Sequence, residues 1–248
     1  MRNRLFGILI CLLAAYGAMA QSRTVENRPY TDLRPFHFGI VAGAHLQDIE
    51  FVNVGMQTIT NEDGTTGEAL ICCDQDRWDN GFTVGITAEA RISRAFQFRV
   101  APAMYFGTRH ITFRNVTAEQ AGVKEFTKVQ NLKSAYISAA MDLIYASKRY
   151  NNHRPYMLVG INPMINLTGK SSDYLRLKRS DVFLEAGLGC DFYLPYFKLR
   201  PELKFLYGLS NCLDPNHAKN IRDVSRLPYT NSVSSARSKM IVFSFYFE

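Results

Sequence analysis

KMIVFSFYFE, Lys239–Glu248, closes the chain and decides how the rest of it is read. Side chains in a strand alternate between faces. Ile241, Phe243, Phe245 and Phe247 therefore share one face, with Met240, Val242, Ser244 and Tyr246 on the other. A terminal strand in a water-soluble domain rarely carries an unbroken column of four large apolar residues to its penultimate position. That column needs either a core or a lipid against it.

Working back from it, the same two-residue period recurs in HFGIVAGAHLQ (His37–Gln47), GFTVGITAEARI (Gly81–Ile92), FQFRVAPAMYFG (Phe96–Gly107), SAYISAAMDLIY (Ser134–Tyr145), PYMLVGINPMINL (Pro155–Leu167), DVFLEAGLGCDFY (Asp181–Tyr193) and FKLRPELKFLYG (Phe197–Gly208). Strict alternation over such lengths is the signature of strands, not helices. With the closing strand these make eight. Connections after the odd-numbered strands are long and polar, roughly residues 50–80, 112–132, 168–180 and 210–238, and the intervening ones are short. All long loops thus lie at one end. An even count of meandering strands about ten residues long, with short turns at one end and long extracellular loops at the other, predicts an all-β, antiparallel up-and-down transmembrane barrel of the bacterial outer membrane.

A soluble eight-stranded barrel would bury the apolar columns, so the second face is the discriminating one. It carries glycine, small residues, tyrosine and charges of both signs instead of a solvent face. Centring the second hairpin on Arg94 sets Glu89 opposite Arg99 and Arg91 opposite Gln97. In the LPYF turn, with Pro195 in its favoured position, Tyr193 meets Lys198 and Asp191 meets Arg200. An Arg or Lys facing lipid at mid-membrane costs about 2–4 kcal/mol, and the apolar columns contain neither. The expectation is a lumen filled by side chains, with a charge network of Glu89, Arg91, Arg99, Glu185, Asp191, Lys198, Arg200, Glu202 and Lys204. Pro102, Pro163 and Pro201 fall inside strands of a closed barrel, where each removes a ladder donor, so bulges or strand ends are expected there.

The first twenty residues read as an export signal: Arg2 and Arg4, an apolar run, then Ala18-Met19-Ala20. Cys11 lies inside the apolar run, which does not fit a lipoprotein anchor. The chain is expected to divide into a signal over 1–20, a periplasmic segment over 21–35 and the barrel over 36–248. Removing Arg2 and Arg4 takes the formal charge from +7 to +5 (7 − 2), spread along the chain and without the clustered patches of a nucleic-acid binder. The expected partners are outer-membrane lipid and lipopolysaccharide, and the barrel-assembly machinery that meets the closing strand with its Ile241, Phe243, Phe245 and Phe247. For Cys72, Cys73, Cys190 and Cys212 the spacing fits neither a redox pair nor a zinc knuckle, and it leaves open a bridge from Cys72 or Cys73 to Cys212 or free thiols.

Chemistry-bearing motifs are sparse. The first long loop holds Glu50, Glu62, Asp63, Glu68, Asp74, Asp76 and Asp79 against Arg77, but its DQDRWDNG departs from a calcium loop: Trp78 replaces a ligand and Gly85 stands where a glutamate should close the site. Trp78 is better read as an interfacial anchor. His37 and His45 point to the lumen, while His110, His153 and His217 sit in loops or strand ends, and no spacing implies a Ser/His/Asp constellation. Lys170, Arg176, Lys178 and Arg179 against Asp173 in the third loop offer lipopolysaccharide phosphate a contact, or simply solvate the loop. No cofactor or metal is expected.

PYTDLRPFHFGIVAGAHLQDIEF near the start and YFKLRPELKFLYGLSN over the seventh strand resemble the PorT (SprT) proteins, outer-membrane barrels of Bacteroidetes linked to type IX secretion and gliding motility. The specific residues are Asp32, His37, Phe38, Gly39, Gly43 and Asp48, then Tyr196, Phe197, Pro201, Glu202, Gly208 and Asn211. Strand count, signal and the long first loop extend the resemblance across the chain. It implies a non-enzymatic accessory or assembly role in protein export, with other secretion-system proteins as partners. The alternatives are a surface adhesin or structural barrel and, less favoured, a small lipid-modifying enzyme, which requires a His with Ser or Asp at one rim.

Overall fold

The computed structural model describes residues 25–60, 66–168, 174–221 and 223–248. The expected signal, Glu62 and Asp63 of the first loop, and Lys170 and Asp173 of the third lie outside these residues. Alternation resolves into β1 (Phe36–Asn53), β2 (Met56–Thr60), β3 (Thr66–Asp74), β4 (Asp79–Arg91), β5 (Phe96–Asn115), β6 (Thr127–Ala146), β7 (His153–Asn166), β8 (Ser180–Tyr193), β9 (Lys198–Gly208) and β10 (Val233–Phe247). They form one antiparallel sheet in the order β2-β3-β5-β4-β1-β10-β9-β8-β7-β6, and pairing of β5 with β6 closes it. The ring has eight strands, with β2 and β3 outside it.

Exposure settles which face is which. Phe38 is 73% exposed and Ile86 60%, whereas Arg99, Arg200 and Glu185 are each 0%. In water this inversion would be ruinous; in acyl chains it is the stable arrangement. From Phe82 to Ile92 the outward residues of β4 are Phe82, Val84, Ile86, Ala88 and Ala90. That span of about ten steps at about 3.3 Å, tilted by about 40°, rises about 25 Å, the height of an outer-membrane apolar band.

The pairing arithmetic holds: Glu89 lies opposite Arg99, Arg91 opposite Gln97 and Tyr193 opposite Lys198. The prolines behave differently from the expectation. Each skips one ladder without shifting register: β4–β5 between Gly85↔Ala103 and Ala88↔Val100, β6–β7 between Ser138↔Met164 and Met141↔Ile161, and β8–β9 between Gly189↔Glu202 and Phe192↔Leu199. The other neighbour still pairs through the ring, as Pro102↔Ala139, Pro163↔Val182 and Pro201↔Phe245. A missing N–H therefore costs a local interruption on one side only, and no bulge is needed.

A second correction concerns the expected loops. β1 runs to Asn53, β5 to Asn115 and β6 starts at Thr127, while β2 and β3 form a hairpin inside the first long segment. β3 pairs with the outer end of β5, Ile71↔Asn115 to Asp74↔Thr112. β10 also begins earlier than expected, at Val233. This taller wall encloses a dry cap in which Ile49, Ile71, Cys73, Ile111, Phe113, Cys212 and Ala236 are buried together. Among the described residues no helix is long and apolar enough to cross a membrane.

Candidate functional site in the lumen and at its two mouths

Every strand of the ring sends a polar side chain inward. Near the periplasmic end, Glu248 pairs with Lys198 and, at 2.6 Å, with Arg200 Nη1, and His37 Nδ1 lies 3.8 Å away. Arg200 also holds Glu89 at 2.5 Å and Asp191 at 2.6 Å. One layer further in, Arg99 Nη1 donates to Glu202 Oε2 at 2.7 Å, Arg99 Nε to Glu89 at 3.3 Å, and Tyr156 donates its hydroxyl proton to Glu202 at 2.7 Å. Lys204 bridges Asp142 at 3.0 Å and Glu185 at 2.9 Å, and Asn162 Nδ2 donates to Glu185 at 3.0 Å. The Arg99 guanidinium lies 4.4 Å from the Tyr246 ring centroid and that of Arg200 4.8 Å from Tyr156. Burying one ion costs several kcal/mol unless paired; here Arg99, Arg200 and Lys204 each have at least two carboxylate neighbours and Lys198 has Glu248.

Toward the outer end, Arg109 donates to Gln47 at 2.9 Å and to Ser238 at 2.7 Å, and Ser134 donates to Gln47 at 3.2 Å. Above this sits the dry cap. The lumen is filled from mouth to mouth.

Eight of the nine residues expected in the network are buried in it. Arg91 is not. It stands at the periplasmic rim, half-buried, and donates to the carbonyl of Asp32 at 2.8 Å. Strand-end position explains this, since its inward direction opens on the mouth and not on the packed layers. Glu248 and Asp142 also belong to the network, and the parity that places Tyr246 inside places Glu248 there as well. The resemblance residues scatter by role: His37 and Glu202 are buried in the lumen, Phe38 faces lipid, Asp48 lies at the outer rim, and Asn211 accepts from the backbone of Leu213 and Ala236 at 3.1 Å each. Gly39 has no room for a Cβ against the Phe247 carbonyl, Gly208 is buried, and Pro201 marks the interrupted β8–β9 ladder. Among the cysteines, Cys72, Cys73, Cys190 and Cys212 are all free thiols.

The periplasmic mouth is covered by the segment before β1. Asn27 N–H donates to Asn152 at 2.8 Å, Arg28 donates to the Glu248 carbonyl at 3.0 Å, and Tyr193 donates to Asp32 at 2.6 Å. Arg149 donates to the Asn27 carbonyl at 2.5 Å, with its guanidinium 3.7 Å from the Tyr193 ring centroid.

At the outer rim the wall has a seam. β4 pairs with β5 up to Gly81↔Gly107, and β3 takes over only at Asp74↔Thr112, so from Thr108 to Ile111 β5 is paired with β6 on one side and with no strand on the other. Side chains fill in: Asp79 accepts from His110 N–H at 2.6 Å, lies 2.7 Å from His110 Nδ1, and accepts from Gln75 Nε2 at 3.1 Å. Sequence spacing gave no hint of this His–Asp pair, because strands β4 and β5 had to be registered first. Outside the seam lies a groove of about 590 Å³ whose lining includes Arg77, Trp78, Asp79, Asn80, Phe82, Phe106, Thr108 and His110. Among the described residues no cluster of His, Cys, Asp or Glu suits a metal ion.

The architecture agrees with known proteins. A family model described as an outer membrane protein beta-barrel domain matches residues 19–214. Solved structures that match the chain include Neisserial surface protein A (14% identity, 86% of this chain and 98% of that one covered, TM-score 0.40). OprG from Pseudomonas aeruginosa gives 13% identity, 85% and 92% coverage and a TM-score of 0.46. Ail, the attachment invasion locus protein of Yersinia pestis, gives 12% identity, 87% and 100% coverage and 0.34. No curated protein sequence matches the chain. A closed ring with lipid-facing apolar columns and a charged interior, matched over most of its length by one family model, is a protein of the outer membrane: the chain belongs to the outer membrane protein beta-barrel domain family.

Proposed function

We propose that this chain is a non-enzymatic accessory or assembly component of type IX protein secretion. The observation that carries the reading is the filled lumen: side chains from every strand of the ring meet in one ion-paired stack, so the protein serves through its ends and its outer wall and not as a conduit. The resemblance of Pro29–Phe51 and Tyr196–Asn211 to the PorT proteins supplies the machinery. Its partners in this reading are other secretion-system proteins at the two mouths, and the barrel-assembly machinery during insertion. The test is deletion of the gene followed by quantification of secreted cargo. Loss of export with the membrane intact supports the role; unchanged export removes it.

A second reading, a surface adhesin, is favoured by the tall outer wall, where β2, β3 and the ends of β5 and β6 present ordered sheet instead of plain loops. Cell-binding loss on deletion, with export unchanged, selects it.

A further inference from the structure

The groove at the outer seam has the makings of a receptor for an amphiphile. Its lower part is aromatic: Phe82 and Phe106 stack with ring centroids 5.0 Å apart, and Trp78 is 40% exposed beside them. Its floor is thin, because Gly81 and Gly107 pair across the strands and the lumen residues His45 and Gln47 occupy the space their side chains would take. Its upper part presents donors. The Arg77 side chain is 69% exposed, Arg77 Nη2 lies 3.5 Å from His110 Nε2, and exposed Lys133 pairs with Thr108 on the far side of β5.

The acids nearby are turned to other work. Asp79 is buried and spends its oxygens on His110 and Gln75, with Arg77 Nε at 3.7 Å, and Asp76 accepts from Thr112 at 2.6 Å one step further out. What remains for a ligand are the N–H groups of Arg77 and the Asn80 amide on the lining, with exposed Lys133 at the edge beside Thr108, all donors matched to an acceptor-rich anion.

Height selects the source of that anion. Phe82 and Phe106 are the last large apolar outward residues of their strands, and Lys133 follows Ile137 and Ala135 on β6. The groove therefore straddles the boundary between acyl chains and headgroups in the outer leaflet, where Trp is a typical interfacial residue.

We propose that this groove binds the phosphorylated headgroup of an outer-leaflet glycolipid, with Arg77 and Lys133 on the phosphate and the acyl chains along Phe82, Phe106 and Trp78. The site rests on the outer-membrane placement and is independent of the secretion role. Trp78 is the single tryptophan of the chain, so its emission reports on this groove alone.

The experiment titrates the folded full-length barrel in detergent micelles with diphosphoryl lipid A, fully dephosphorylated lipid A, and inorganic phosphate. Native mass spectrometry counts lipid adducts in parallel. Diphosphoryl lipid A is expected to shift Trp78 emission saturably and to add one adduct. Arg77→Gln and Lys133→Gln are each expected to weaken it about fivefold. Arg237→Gln, which removes a rim cation on β10 that donates to Tyr207 at 3.2 Å, should leave the midpoint unchanged. Equal binding of the dephosphorylated lipid, the same response to inorganic phosphate alone, or an equal loss in Arg237→Gln overturns the proposal. Should Arg77→Gln fail to show the heat-modified migration of a closed barrel, Lys133→Gln decides alone.

Discussion

Arg99 and Glu202 stand 103 residues apart in the chain and meet at 2.7 Å in the centre of the lumen, both fully shielded from solvent. β5 and β9 are not neighbours in the ring, so this bond spans its interior and ties opposite walls together.

Replacing Arg99 with Met leaves Glu89 and Glu202 each short of a cation in a buried site. Breaking such a pair costs about 3–5 kcal/mol. The temperature at which the folded band converts to the unfolded one on a detergent gel should fall markedly. An unchanged conversion temperature would show the network to be energetically idle.

Gly189 provides a steric test of the same layer. A methyl there would run into the Tyr156 ring, whose hydroxyl serves Glu202, whereas one on Gly67 in β3 meets nothing within 4 Å. Gly189→Ala is expected to destabilise by about 1–3 kcal/mol, as overpacking does, and Gly67→Ala to be near neutral. Urea midpoints in lipid vesicles compare the two, and equal values would contradict the close approach.

The thiols should sort by burial. Burial pushes the Cys212 thiol up to about 11 and raises that of Cys73 further. Alkylation needs the thiolate, so at pH 8 both should resist a water-soluble maleimide in the folded barrel and react only after boiling in detergent. Half-exposed Cys72 should label first, and Cys190, on the lipid face, only with a membrane-permeant reagent. Rapid folded-state labelling of Cys212, read by mass spectrometry, would refute the dry cap.

At the periplasmic mouth, Arg149→Ala removes the bonds to the carbonyls of Asn27 and Arg28 and the stacking on Tyr193. Protease added from the periplasmic side should then cut between Val25 and Pro35 several-fold faster, with barrel migration unchanged. Equal cutting rates in variant and parent would mean that the segment is held by other contacts.

How much of this was legible beforehand follows from range. Alternation and hairpin pairing are local, so the columns, Glu89 opposite Arg99 and Tyr193 opposite Lys198 could be read directly. Arg99 with Glu202, or His110 with Asp79, depends on the closed ring or on a seam between two strands, and no spacing announces either. The outer strand extensions were hidden for a different reason: their outward positions, such as Glu68, Asp74 and Arg114, are polar above the membrane, so β3 and the end of β5 read as loop although Ala69, Ile71, Ile111 and Phe113 continue the inward face. Glu248 shares the inward parity of Tyr246, a single charge at the end of a strand whose dominant signal is its apolar column.

Glu248 ties the closing of the ring to its charge balance. Its strand seals the ring against the first one, Ile40 beside Phe247, while its side chain supplies the counter-charge for Lys198 and Arg200. Wall and charge balance at this mouth are therefore completed by one stretch of backbone, β10 and the residue after it. Without the Glu248 carboxylate Lys198 would lose the anion it pairs with while Arg200 kept Glu89 and Asp191, so one lesion would be felt unequally by two neighbouring cations.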